Sequence, residues 1–198
     1  KGTDLIPVAI PGADPPVCSD RFSRGHRLHG DQPLAIDSAE AYDDALAGAG
    51  VIVDRQRRAE LIRSQLNASA EQLNGSPDCP ASLFEELVDL VESPRLLRGS
   101  IAERFLSLPP EVIITVMQAH QRYVPLKVPN VTPDPLQLVA TGVLRRDFLL
   151  VGNGLEQADA LITRGNERVL AARLADAEFF LDVDRRQPSS SRRDALDR

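Results

Sequence analysis

Residues 164–181 read RGNERVLAARLADAEFFL, and the spacing of their apolar side chains decides what kind of fold this is. Counting from Leu170, the positions Leu174, Ala177 and Leu181 follow at four, seven and eleven residues, which places them on one stripe of an amphipathic helix. Gly165 and Asn166 read as a turn at the start of that helix, with a shorter helical piece before it, beyond Leu155. Upstream the period changes. RYVPLKV (122–128), LQLVATGVL (136–144) and FLLVGNG (148–154) are short apolar runs separated by the proline-rich PNVTPDP and the charged RRD, so two or three strands are predicted between Arg122 and Asn153.

Further upstream helices return. Proline at a helix start opens LPPEVIITVMQAH (108–120), a largely buried segment whose β-branched residues leave a strand open as the alternative. Ser82 and Glu85 form a capping-box pattern ahead of LFEELVDLVE, which must end before Pro94. RQRRAELIRSQLNASAEQL (55–73) spaces Leu61, Ile62, Leu66 and Leu73 as an amphipathic helix that stops at Asn74 and Gly75, with its arginine face in solvent. IDSAEAYDDALAGAG carries an Asp37 or Ser38 cap and a short helix. The first thirty residues alternate apolar pieces with Pro and Gly and read as strands with tight connections. The fold class expected is α/β (α+β): a mixed β-sheet packed with several helices in one domain.

Composition narrows the function classes. The 198 residues hold 23 Lys+Arg against 29 Asp+Glu, a net charge of −6, which argues against a binder of nucleic acid over its whole surface and leaves room for a local basic face. All but two of the basic residues are Arg, which suits planar, bidentate phosphate contacts and is equally what a high-GC coding bias would give. No run approaches a membrane span, and no charged start with an apolar core marks a secretory signal. Cys18 and Cys79 make no CxxC site or disulfide framework, so a reducing cytoplasm is expected. Without an initiator Met, and with a polar QPSSSRRDALDR ending, the chain is expected to be a piece of a longer polypeptide.

Chemistry-bearing residues cluster in a few motifs. His26 and His29 lie in SRGHRLHG and His120 in MQAHQRYVP; three histidines invite a zinc reading, but no HExxH pattern or Cys ligand at finger spacing accompanies them, so no metal is expected. Arg24 and Arg27 would point to opposite faces of an extended strand, whereas a turn at Gly25 would let both converge on a phosphate. Arg164, Arg168 and Arg173 surround a helix start, a ready anion site, although Glu167, Asp176 and Glu178 could pair with them instead. No phosphate-loop, dinucleotide or nucleophile-elbow motif is present, and nothing supports a catalytic triad.

Three of these motifs together resemble the glycyl-tRNA synthetase β-subunit family. RGHRLHG (24–30) is similar to that family's RGHRFH element, LPPEVIITVMQAHQRYVPL (108–126) to its LPPEVLITTMKEHQRYFPV, and RGNERVLAARLADAEFF is nearly unaltered. The likeness extends through IDSAEAYDDAL and EELVDLVESP. Ser93 stands where the family commonly has Trp, Gly152 where Ser is usual, and the stretch from Pro129 to Arg146 is longer than expected, as in cyanobacterial or plastid versions.

The resemblance implies that residues 1–183 form a domain similar to the B3/4 module of phenylalanyl-tRNA synthetase, with 184–198 a linker toward a missing HD-type domain. It further implies an α₂β₂ ligase in which ATP and magnesium are used by the α subunit, with no cofactor in this part. The expected partners are glycine tRNA, the α subunit and the remaining β-subunit domains, in the cytoplasm or, in a plant, a plastid. Arg24, Arg27, Arg122, Arg164 and Arg168 are the expected tRNA contacts. No catalytic residue is expected, unless the domain hydrolyses mischarged tRNA, for which His26, His29 and His120 are the candidates; a purely structural scaffold is the remaining alternative.

Overall fold

The computed structural model describes residues 4–12, 14–131 and 139–186. Two small hairpins come first: β1 (Ala9–Ile10) pairs with β2 (Val17–Cys18), and β3 (Phe22–Ser23) with β4 (Leu34–Ala35). They leave Ile6, Val8, Ile10, Val17 and Phe22 exposed. Helix α1 (Tyr42–Gly48) follows; its regular turns begin later than Ser38, although Ser38 Oγ accepts a bond from the Ala41 N–H at 3.3 Å. Helix α2 (Arg55–Gln72) is capped by Asp54, whose carboxylate accepts from the N–H groups of Gln56 and Arg57. It stops where expected, at Asn74, whose φ of 46° breaks the right-handed run.

The body is built on one four-stranded sheet, ordered β5 (Ser76–Pro77), β7 (Val124–Lys127), β8 (Leu144–Gly152) and β6 (Arg95–Ser100). Every strand pair in it is antiparallel rather than mixed. Of the predicted segment LQLVATGVL, residues 136–138 lie outside the described residues; Ala140 to Val143 form a turn with Gly142 at φ 84°, and the strand proper starts only at Leu144.

Side chains alternate across this sheet, and helices cover both faces. Val124, Leu126 and Leu149 pack under α2 and α3 (Ala81–Leu90), against Ile62, Leu66, Leu83, Leu87 and Val88. Leu97, Leu144, Phe148 and Leu150 face the other way, onto α4 (Pro110–Thr115), the π-helical turn Val116–His120 and α5 (Asp159–Arg186), where Ile113, Met117, Leu170 and Leu174 meet them. Each fully buried Leu, Ile or Phe contributes about 1.5–3 kcal/mol relative to exposure, so these two layers dominate the stability. Gly99 of β6 lies opposite Phe148, and a Cβ there would sit 2.4 Å from the Phe148 ring, so only glycine lets the ring cross the strand.

Two local expectations are corrected. Helix α3 starts at Ala81 with Pro80, which has no side-chain acceptor, at its N-cap, so Ser82 lies inside the first turn and Glu85 pairs with Arg55 (2.6 Å) instead. The turn expected at Gly165 and Asn166 is absent: α5 is continuous from Asp159, so both residues lie inside it, and no anion site at a helix start exists there. Helix α5 runs on to Arg186, and residues 187–198 lie outside the described residues.

Candidate nucleic-acid interface

The motifs picked out in the sequence are the joints of this fold. His26 is buried, 3% exposed; its Nδ1 accepts from the Leu28 N–H at 3.3 Å and its Nε2 faces the Glu92 carboxylate at 3.5 Å. Asn153 Oδ1 accepts from the N–H groups of Glu92 (3.1 Å) and Ser93 (2.9 Å), tying the end of β8 to the turn after α3. Tyr123 donates to Asn166 Oδ1 at 2.6 Å, joining the start of β7 to α5, and burial pushes its phenol up to about 12. That bond also explains why Gly165 and Asn166 do not break the helix: Asn166 is held from both sides, since its amide donates to the Ile162 carbonyl.

The histidines do not converge. His26 and His29 meet edge to face, ring centroids 5.8 Å apart, while His120 ends the π-helical turn, exposed and without a contact to either. Among the described residues no group of three His, Cys, Asp or Glu side chains is placed to hold a metal ion.

The candidate arginines separate into two kinds. Arg122, with φ 56°, directs Nε to Glu86 at 2.7 Å and Nη1 to the Ala119 carbonyl at 2.7 Å, so its guanidinium is engaged within the domain. Arg24 and Arg27 differ. The His29 N–H bonds the His26 carbonyl in a tight turn, and both arginines line one cleft of about 660 Å³ together with Arg58, Asp89, Glu92 and Asn153. Arg58 is held by the carbonyls of Ile52, Val53 and Val88. Neither Arg24 nor Arg27 has a carboxylate of the described residues within ion-pair distance. Arg164 and Arg168, one helical turn apart on α5, line a second groove of about 260 Å³ and are likewise unpaired among the described residues. Glu167 stands between them but accepts from the Ser100 N–H (2.8 Å) and hydroxyl (2.9 Å) instead. Sequence reasoning missed Arg146, which lines the same groove from β8; its only signal was its place in the charged RRD break.

An antiparallel sheet between two helical layers, edged by clefts in which arginines stand without carboxylate partners among the described residues, defines an α/β domain. Residues 1–198 match the family described as glycyl-tRNA synthetase beta subunit. The chain is 40% identical over 181 residues to the glycine–tRNA ligase beta subunit of Psychromonas ingrahamii, covering 91% of this chain and 25% of that protein. It is 40% identical over 185 residues to that of Bacillus subtilis, covering 93% and 25%, and 38% identical over 188 residues to that of Gloeothece citriformis, covering 95% and 25%. The chain belongs to the glycyl-tRNA synthetase beta subunit family, and it spans about a quarter of the length of the curated relatives it matches.

Proposed function

We propose that this chain is a non-catalytic, tRNA-contacting and architectural domain of a glycine–tRNA ligase β subunit, similar to the B3/4 module of phenylalanyl-tRNA synthetase. In this account ATP- and magnesium-dependent activation of glycine belongs to the α subunit of an α₂β₂ enzyme in the cytoplasm. This domain packs with the remaining β-subunit domains and helps hold the acceptor arm of glycine tRNA near the α-subunit site. Among the described residues no helix is long and apolar enough to cross a membrane.

The observation that carries this reading is the convergence of Arg24 and Arg27 in one cleft, unpaired among the described residues. A guanidinium without an internal partner is free to offer its planar fork to a phosphate. Arg122 drops to a scaffolding role because Glu86 and the Ala119 carbonyl occupy it. The test is charge reversal, Arg24→Glu with Arg27→Glu, in the assembled full-length enzyme. The KM for tRNA should rise by at least about tenfold, equivalent to about 1.4 kcal/mol of lost binding, while glycine-dependent ATP–pyrophosphate exchange stays at the parental rate. An unchanged KM for tRNA overturns the proposal.

A further inference from the structure

The groove between β8 and α5 holds a third arginine that lies outside the motifs shared with the family. Arg146 precedes Asp147, the residue registered opposite Ser100 at the end of β6, and it lines the groove with Arg164, Glu167 and Arg168. The groove floor is apolar, made by Ile101, Phe105, Leu170 and Leu174. Nearby carboxylates are diverted. Asp147 pairs with Arg98 at 2.9 Å, Asp159 with Arg95, and Glu167 with the Ser100 N–H and hydroxyl. Three arginines and one carboxylate, Glu167, therefore line one concave surface, an excess of positive charge in a chain whose overall charge is −6, and none of the three arginines is ion-paired among the described residues. Like charges held together in this way repel one another, and a polyanion relieves that repulsion.

We infer that Arg146, Arg164 and Arg168 form a second phosphate-binding groove, distinct from the Arg24–Arg27 cleft, and that its ligand is the sugar–phosphate backbone of RNA. The inference rests on the tRNA-contacting reading above. Arg164 and Arg168 come from one helix face and Arg146 from the neighbouring strand, so the three reach the groove from two sides, as adjacent backbone phosphates require. The floor is apolar, and the polar groups between it and the arginines, Ser100 and Glu167, are bonded to each other, so the groove fixes the position of the RNA without reading its sequence.

The test measures equilibrium binding of glycine tRNA to the assembled full-length enzyme across a salt series. Arg146→Gln should lower the slope of log affinity against log salt by about 0.7–0.9, the amount expected for one lost phosphate contact. Arg146→Lys, which keeps the charge, should hold the slope near the parental value. A parental slope in Arg146→Gln overturns the groove. If Arg24→Gln with Arg27→Gln still lowers the slope in that case, the tRNA reading stands without the groove; if it does not, both fall. Thermal unfolding should be the same in all variants, whereas a merely structural arginine would move the melting temperature and leave the slope alone.

Discussion

The outer face of α2 and α3 and the groove between β8 and α5 are built from the same residue types at similar spacings, with opposite electrical outcomes. On the first, Arg55 grips Glu85 and Asp89 together, and Arg122 grips Glu86. On the second, Arg164, Glu167 and Arg168 stand within one helical turn, yet Glu167 turns to the backbone of β6 and leaves the arginines open. Whether an arginine is neutralised depends less on how many carboxylates are nearby than on whether those carboxylates have a better offer from an unsatisfied N–H. Ser100, at the strand end where ladder pairing stops, supplies that offer.

The largest stability effect should come from removing the device that keeps the groove open. Glu167→Ala strips the acceptor from the half-buried Ser100 N–H and hydroxyl and should cost about 1–3 kcal/mol, read as a lowered melting temperature. Glu167→Gln keeps an oxygen in place and should recover most of the loss. Equal melting temperatures for Glu167→Ala and the parent would mean that the carboxylate is not held as described.

A smaller effect is expected on the paired face, where both partners are exposed. The hydrogen bond from Arg55 holds the Asp89 carboxyl below its ordinary range. The folded value thus lies under the unfolded one, so the stabilisation is fully present above the unfolded carboxylate pKa and is lost as pH falls through the folded value. The gap in melting temperature between the parent and Arg55→Ala should stay constant from neutrality to about pH 5 and shrink below about pH 4. A gap that widens in acid would contradict the pairing.

The sequence made the helices legible wherever period and burial agreed. Ile62, Leu66, Leu170 and Leu174 all fall on buried faces as their spacing required. Its errors arose where a distant partner overrode a local signal. Gly165 and Asn166 look like a break because glycine costs about 1 kcal/mol in a helix, but the Tyr123 hydroxyl, distant in sequence, secures Asn166, and packing carries α5 through. Ser82 and Glu85 look like a capping box, but the helix begins before Ser82, with Pro80 at its N-cap, and Glu85 turns to Arg55. Strand β6 was not foreseen, because Arg95 and Arg98 interrupt its apolar run and Gly99 weakens it; the ring of Phe148 over Gly99 is what that sequence serves. The candidate arginines were legible as residue types, and Arg24 and Arg27 line one cleft. Which arginines were engaged was not legible, since Arg122 meets Glu86 only across 36 residues of chain.

Arginine modification read residue by residue tests the division most directly. With phenylglyoxal and mass spectrometry on the assembled enzyme, Arg24, Arg27, Arg146, Arg164 and Arg168 should react faster than Arg55 and Arg122, and bound glycine tRNA should protect those five. Equal reactivity of the two sets, or protection by tRNA that spares the five, would contradict the account.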